Sequence, residues 1–281
     1  MLYLEKFKFA SFNADLDFRP CEIGIDSYET KYPFGILSYH QIEKIEFEPI
    51  TIFYGGNGCG KTTALNIIAE KLRLKRDSLY NKSNCFDKYL NYCASKNKTI
   101  PFQSSIITSD DVFDFTMSIR HLNQGIDRRK EELSDEYDKL KQSGFKLKSL
   151  SDYDEFKRIS NAIRENKTEQ KTQKNIREHS NGESAFLYFT DKIKENALYL
   201  LDEPENSLSP EKQQELLQFI QDSARFYNCQ FVIATHSPFL LSLKDAKIYD
   251  FDENPVKVKH WTELKNVRDY YNFFKQHEKE F

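Results

Sequence analysis

The stretch that decides the fold is Ile50-Thr51-Ile52-Phe53-Tyr54-Gly55-Gly56-Asn57-Gly58-Cys59-Gly60-Lys61-Thr62-Thr63. Its first five residues form an apolar, β-branched run, which is typical of a buried strand. The next eight residues satisfy the pattern G-x-x-x-x-G-K-[ST], and a sequence that favours a helix begins at Thr63. A strand, a glycine-rich loop and a helix in this order predict an α/β domain that binds phosphate groups at this loop.

The chemistry of the loop agrees with that prediction. Backbone N–H groups of a glycine-rich loop and of the helix N-terminus after it can point at phosphate oxygens. We expect Lys61 to reach the β- and γ-phosphates and the Thr62 hydroxyl to bind Mg²⁺. The alternative, a glycine-rich turn that arose by chance, does not explain the order of strand, loop and helix. The predicted nucleotide-binding residues are Asn57, Gly58, Cys59, Gly60, Lys61, Thr62 and Thr63.

A second apolar strand, Leu198-Tyr199-Leu200-Leu201, ends in the carboxylates Asp202 and Glu203. Adjacent side chains in extended backbone point to opposite sides, so the two carboxylates need different roles. Asp202 can hold Mg²⁺, and Glu203 can orient the attacking water or accept its proton. Paired acidic residues also occur at strand ends on ordinary surfaces, so the glycine-rich loop is what favours the catalytic interpretation.

Together with these motifs, three more strings resemble the ABC-type ATPases, within them the soluble SMC/RecF-like group. Ser180-Asn181-Gly182-Glu183-Ser184 looks like the ABC signature, and Asn206-Ser207-Leu208-Ser209 looks like the D-loop. His236, in Ala234-Thr235-His236-Ser237-Pro238, looks like the switch histidine. The joined strings LLDEPENSLSP and QFVIATHSPFLL also resemble small bacterial ATPases and the ATPases of retron- and Septu-type anti-phage systems.

The resemblance implies an ABC-ATPase nucleotide-binding fold and a homodimer that holds two ATP molecules between head-to-tail subunits. It implies that Ser180, Gly182 and Glu183 bind the nucleotide of the partner subunit, and that His236 contacts the γ-phosphate. Gln103 is the candidate for the glutamine of the Q-loop, which touches Mg²⁺ or the attacking water. Two other interpretations stay open, because Ser180 with Glu183 also makes a capping box and His236 is also compatible with a core histidine at a strand end.

The sequence departs from the family pattern at three places. Asn181 stands where many members have glycine, Glu183 where transporters have glutamine, and Ser209 where aspartate is usual. The last difference puts the D-loop contact between subunits in question. An aromatic residue that would stack on adenine is not evident; the candidates are Phe12, Phe18 and Phe34.

A shift in composition predicts a helical insertion at 110–178 between two parts of a core, 1–109 and 179–281, which the resemblance implies is an ATPase core. Within the insertion, residues 110–138 hold nine acidic and four basic residues (4 − 9 = −5), and 139–177 hold eleven basic and five acidic (11 − 5 = +6). The basic half is either a solvated helix face or a surface that follows the phosphates of DNA.

The whole chain has 281 residues and a net charge of −3, so no global basic excess points to nucleic acid. We expect a cytoplasmic protein, because no long apolar segment and no signal-peptide pattern is present. The five cysteines are scattered without a C-x-x-C pair, which favours reduced thiols. Cys59, next to Lys61 in the loop, could have a lowered pKa and be oxidisable; a small residue without a chemical role is the simpler interpretation.

The favoured function is an ATP-dependent dimerisation switch in a DNA-associated or anti-phage defence complex with a separate effector chain. The ATPase subunit of a membrane transporter is the alternative from another class. A scaffold that binds nucleotide without hydrolysing it is disfavoured by the joint presence of Lys61, Asp202, Glu203 and His236.

Overall fold

The strand before the glycine-rich loop, β3 (Ile50–Tyr54), lies inside a six-stranded sheet, and all five of its residues are buried. Both neighbours of β3 run parallel to it. A strand buried on both faces needs apolar residues throughout, which explains its continuous run rather than an alternating one. In spatial order the sheet contains β5 (Ser105–Thr108), β6 (Leu198–Asp202), β7 (Gln230–Ala234), β3, β8 (Lys247–Asp250) and the antiparallel edge strand β9 (Lys257–Lys259).

A smaller antiparallel sheet of three strands stands beside the large one. Its order is β2 (Lys44–Glu46), β1 (Leu4–Lys8) and β4 (Ala94–Asn97). The two sheets are joined through Gln230 at the start of β7, which is fully buried. Its Oε1 accepts from the N–H groups of Tyr3 and Leu4 at 2.7 and 2.8 Å, and its Nε2 donates to the carbonyl of Leu4 at 2.8 Å. One side chain therefore satisfies three backbone groups next to β1.

The computed structural model describes residues 1–17, 31–142, 181–206 and 208–281, and the helices lie within these ranges. The helix α3 follows the glycine-rich loop and is buried over most of its length. The described helices are α1 (Phe12–Asp17), α2 (Ile36–Tyr39), α3 (Lys61–Leu72), α4 (Phe86–Tyr92), α5 (Ser109–Gln142), α6 (Asn181–Lys192), α7 (Pro210–Phe226), α8 (Pro238–Leu241) and α9 (Lys265–Gln276). In the described part of the chain, no helix combines the length and the apolarity needed to cross a bilayer.

The chain divides into two units. One unit consists of Met1–Val112 with Phe189–Phe281, and the other is Phe113–Tyr188. Most of the basic half of the expected insertion, 143–177, lies outside the described residues, as does Phe18.

The long helix α5 begins with a reciprocal cap that its sequence encodes. The Thr108 N–H and hydroxyl both donate to Asp111 Oδ2, at 2.6 and 2.8 Å. The Asp111 N–H lies 3.4 Å from Thr108 Oγ1. This is the capping-box arrangement, which satisfies N–H groups that have no partner inside the helix. It ends β5 and starts α5 without an intervening loop.

We expect replacement of Gln230 by methionine to destabilise the protein by about 2–4 kcal/mol, because it leaves the buried N–H groups of Tyr3 and Leu4 without acceptors. Urea denaturation followed by circular dichroism would measure the loss. Gln218→Met on the exposed face of α7 is the matched control and should change stability by less than about 0.5 kcal/mol. Equal effects of the two changes would contradict the role given to Gln230.

Candidate nucleotide-binding site

The glycine-rich loop has the backbone that its sequence predicts. Gly58 and Gly60 have φ angles of +83° and +95°, in the left-handed region that favours glycine. A Cβ atom on Gly60 would lie 3.0 Å from Leu37 Cδ2 and 3.1 Å from Ile36 Cγ2. The loop therefore turns tightly and lies directly against α2. The helix α3 begins immediately afterwards at Lys61.

Lys61 is buried inside this loop, with 4% of its surface exposed. Its Nζ donates to the carbonyls of Gly55 at 2.6 Å and Gly56 at 3.0 Å. The ammonium group is therefore held at the loop by neutral carbonyls. Within the described residues its hydrogen bonds go to these carbonyls and to Cys59 Sγ and not to a carboxylate, so its charge is available to an anion that enters the loop.

Asp252, in the turn between β8 and β9, supports the loop from outside. Both of its carboxylate oxygens accept from the Gly56 N–H, at 2.9 and 3.1 Å. A Cβ atom on Gly55 would lie 3.1 Å from Asp252 Oδ1 and 2.6 Å from Cys59 Sγ. The sequence analysis missed Asp252, because an acidic residue in a turn carries no local signal of a contact 196 residues away.

Thr62 and Asp202 meet at the centre of the site. The Thr62 hydroxyl donates to Asp202 Oδ1 at 3.1 Å, which joins the start of α3 to the end of β6. Asp202 is 7% exposed. Burial raises the pKa of its carboxyl group to about 6, and the negative charge of Glu203 acts in the same direction against the Thr62 hydrogen bond. A hydroxyl and a carboxylate side by side are the donor types that Mg²⁺ prefers, so these two residues fit that ion.

Glu203 leaves the strand in a left-handed conformation with φ of 48°, which is uncommon for a residue with a side chain. Its N–H donates to the carbonyl of Ala234 at 2.8 Å. Its side chain is 27% exposed, and Oε2 accepts from Asn206 Nδ2 at 3.1 Å. The carboxylate of Glu203 is therefore open and that of Asp202 is buried, but Glu203 is not in extended backbone, so the alternation of side chains assumed from the sequence does not apply to it.

His236 lies beside Glu203. Its Nδ1 is 3.8 Å from Glu203 Oε1, and 48% of its side chain is exposed. The structure thus brings the predicted switch histidine and the predicted water-orienting carboxylate together at one edge of the sheet. The same Nδ1 is 3.6 Å from Oε1 of a third carboxylate, Glu205, which is almost fully buried.

Glu205 is a second residue that the sequence analysis missed. Its Oε1 accepts from Thr235 Oγ1, the His236 N–H and the Ser237 N–H, at 2.6, 2.9 and 3.1 Å. The signal for it was present, because Glu205 is the third carboxylate of the string Asp202-Glu203-Pro204-Glu205. Its partners on the β7 side could not be read from that string.

The prediction that Gln103 touches Mg²⁺ or the water is wrong. Gln103 precedes β5, and its Nε2 donates to the carbonyls of Glu195 and Asn196, which precede β6. The strands β5 and β6 are parallel, and Thr108 is paired with Asp202 at their carboxyl ends. Gln103 therefore lies at the opposite edge of the sheet from the metal-binding candidates.

The carboxyl end of β5 instead brings Ser109 and Asp110 to the site. They line a cleft of about 740 Å³ together with Thr62, Thr63, Asn66, Arg76 and Asp202. Arg76 forms part of its wall: Nη2 donates to Asn66 Oδ1 at 2.6 Å, and the guanidinium stacks 4.3 Å from the ring centre of Tyr80. The sequence analysis identified neither Asp110 nor Arg76.

The residues of the predicted signature are only partly described. Gly182 and Glu183 occupy the first turn of α6, in the unit Phe113–Tyr188, whereas Ser180 lies outside the described residues. In the D-loop string, Ser209 caps α7, and its Oγ accepts from the Lys212 N–H at 3.3 Å.

Two further expectations are corrected by burial. Cys59 is 6% exposed, and desolvation raises the pKa of its thiol in spite of the nearby Lys61, so the idea of a lowered pKa is wrong. Phe34 is buried against Tyr89, with ring centres 4.9 Å apart, and is not available to stack on adenine. Phe12 is 55% exposed and remains a candidate.

Comparison with known proteins agrees with the fold class. Residues 104–242 match the family described as "AAA domain, putative AbiEii toxin, Type IV TA system". This range contains Asp202, Glu203 and His236 but not the glycine-rich loop. No curated protein matches the sequence. The chain has a mixed α/β fold built on a mainly parallel sheet.

The solved structures that are similar to the chain include the following two. One is the Smc head domain from Pyrococcus furiosus, which has an extended coiled coil and is bound to the C-terminal domain of ScpA. Its sequence is 14% identical, the match covers 97% of this chain and 100% of that chain, and the TM-score is 0.44. The other is an inward-facing "putative metal-chelate type ABC transporter", 16% identical, with 79% and 77% covered and a TM-score of 0.34.

The buried carboxyl group of Asp202 predicts how stability depends on pH. Its pKa rises from 3.8 to about 6 on folding, so the native state binds the proton more tightly than the unfolded chain. Below about pH 4 the carboxyl group is protonated in both states and the stability that it contributes is fully present. As the pH rises to about 6, ionisation of the group favours the unfolded chain, and this contribution to the free energy of unfolding is lost. Asp202→Asn, which cannot ionise, should therefore be more stable than the wild type by roughly 2–3 kcal/mol at about pH 8, with no such gain at about pH 4.

Urea denaturation of the nucleotide-free protein at the two pH values would test this. The control is Asp191→Asn, whose side chain is 83% exposed and which should change stability by less than about 0.5 kcal/mol at either pH. An Asp202→Asn protein that is no more stable than the wild type at about pH 8 would contradict a destabilising burial of this charge.

Proposed function

We propose that the chain binds Mg·ATP at the loop of residues 55–62 and hydrolyses it to ADP and phosphate. The observation that carries this proposal is the 3.1 Å contact between Thr62 Oγ1 and Asp202 Oδ1. It joins the two sequence motifs that must act together in phosphoryl transfer, where catalysis consists mostly of positioning and charge neutralisation.

Each residue has a separate task in this proposal. Lys61 and the first N–H groups of α3 hold the phosphates, since an anion at a helix N-terminus is stabilised by unpaired donors and by the helix dipole. Thr62 and Asp202 hold Mg²⁺, which when bound neutralises charge on the β- and γ-phosphate oxygens. Glu203 orients the attacking water or accepts its proton, and Asn206 restricts the position of that carboxylate.

We further propose that two copies bind ATP between them in a head-to-tail homodimer. The support is the resemblance of Ser180-Asn181-Gly182-Glu183-Ser184 to the ABC signature. The exposure of Glu203 and His236, at 27% and 48% of their side chains, leaves these groups accessible to a second subunit. In this assembly Ser180, Gly182 and Glu183 of one copy complete the nucleotide site of the other.

The biological role that we propose is a nucleotide-dependent dimerisation switch in an anti-phage or DNA-associated complex, with a separate effector chain. The toxin–antitoxin system named in the description of the matched family is compatible with such a role. DNA binding would depend on the basic residues of 139–177, of which 143–177 lie outside the described range.

The decisive experiment is the solution mass of Glu203→Gln with and without Mg·ATP, measured by light scattering. The glutamine keeps nucleotide binding and removes the proton acceptor, so a dimer should accumulate only with Mg·ATP. Steady-state ATP hydrolysis should fall by about a hundredfold or more.

Two variants serve as controls in the same experiment. Glu211→Gln changes an exposed carboxylate in the first turn of α7 and should behave as the wild type. Lys61→Met should neither bind ATP nor dimerise. Hydrolysis that survives Glu203→Gln would contradict the proposed catalytic role, and a monomer that binds Mg·ATP without dimerising would contradict the proposed assembly.

A further inference from the structure

Glu205 is a buried carboxyl group that the proposed catalytic step does not use. The residue is 7% exposed, although it lies only two positions after Glu203. Its position follows from the sheet, because β6 and β7 are parallel and Asp202 is paired with Ala234 at their carboxyl ends. The chain leaving β6 therefore passes next to the chain leaving β7, which carries Thr235, His236 and Ser237.

The hydrogen bonds of Glu205 are concentrated on one oxygen. Oε1 accepts from one hydroxyl and two successive backbone N–H groups, at distances of 2.6, 2.9 and 3.1 Å. Oε2 is buried and has no hydrogen-bond partner among the described residues. Burial of a carboxyl group is costly unless it is fully satisfied, so this arrangement costs stability compared with a neutral residue at the same position.

Glu205 also affects the ring of His236. The same Oε1 that binds the backbone N–H of His236 is 3.6 Å from its Nδ1, and Glu203 Oε1 is 3.8 Å from that nitrogen on the exposed side. Two carboxylates thus face Nδ1. This favours the tautomer with a proton on Nδ1 and leaves Nε2, on the other side of the ring, as the nitrogen that can contact a ligand.

The loop that carries His236 is held on its other side by α9. Asn266 Nδ2 donates to the carbonyl of His236 at 2.7 Å, and the Asn266 N–H lies 3.2 Å from the hydroxyl oxygen of Tyr54 at the end of β3. The N–H and the carbonyl of His236 are therefore both occupied, by Glu205 and by Asn266. The backbone of this residue is fixed, and the orientation of its ring is the freedom that remains.

We propose that Glu205 is a positioning residue for His236: it fixes the backbone after β7 and orients the imidazole so that Nε2 is presented to the γ-phosphate. This inference rests on the proposed ATPase function. It predicts that the charge of Glu205 matters and not only its shape, because the oxygen of a glutamine could still accept from the three donors but would not attract Nδ1.

A double-mutant cycle with Glu205→Gln and His236→Ala tests the proposal. Glu205→Gln should lower kcat for ATP hydrolysis by about tenfold and leave KM for ATP within about threefold of the wild type. In the His236→Ala background the same change should lower kcat by less than about twofold, because the group through which it acts is missing. Equal factors in both backgrounds, or an unchanged kcat in the first, would overturn the proposal.

A second readout does not depend on hydrolysis. The imidazole Cε1–H resonance of His236 in the nucleotide-free protein is assigned as the signal that His236→Ala removes. The chain has six histidines. Glu205→Gln should shift the His236 signal and leave the signals of the other five histidines in place. The control Glu211→Gln should shift none of the six signals. An unshifted His236 signal would overturn the orienting role.

The two readouts separate failure of this inference from failure of the proposed function. A wild type that does not hydrolyse ATP refutes the ATPase proposal, and the His236 signal then still reports whether Glu205 orients the ring. If Glu205→Gln does not fold, Thr235→Val replaces it in both experiments. That change removes the 2.6 Å donor that holds Oε1 and keeps the charge, so kcat should fall by less than with Glu205→Gln, and this fall should again be absent in the His236→Ala background.

Discussion

Phe53, Ala234 and Asp202 lie in one row of the six-stranded sheet, because β3, β7 and β6 are parallel and paired in register. The three strands end at or one residue after this row, and the chain leaves each of them on the same side of the sheet. The glycine-rich loop, the segment with His236 and the carboxylates after Asp202 therefore emerge at one edge. Every contact of the candidate site depends on this alignment, since a shift of one residue would turn each side chain to the other face.

The clustering of carboxylates at this edge has an energetic cost. Asp202 and Glu205 are both buried, and neither forms an ion pair with a lysine or arginine in the described part of the chain. They are satisfied in part by hydroxyl and N–H donors, such as Thr62 for Asp202 and Thr235 for Glu205. Glu203 adds backbone strain through its positive φ. Such costs are typical of functional sites, where geometry is maintained at the expense of stability.

The loop and the histidine segment are supported by elements that carry no recognised motif. Asp252 binds the Gly56 N–H, and α2 packs on Gly60. Asn266 connects Tyr54, the last residue before the loop, to the carbonyl of His236. These contacts come from the chain after β8 and from α2, so the geometry of the site depends on parts of the sequence far from the motifs.

The sequence by itself determined the glycine-rich loop, the bounds of β3 and the apolar run of β6 with the carboxylates at its end, because apolar runs and glycines act locally. Gln103 was misplaced, because a short string resembles a motif without showing which end of a strand it precedes. Only the tertiary structure decided the roles of Glu205, Asp252 and Gln230, since their partners are 30, 196 and more than 200 residues away in the chain. Contacts at such distances follow from the pairing of strands and leave no local pattern.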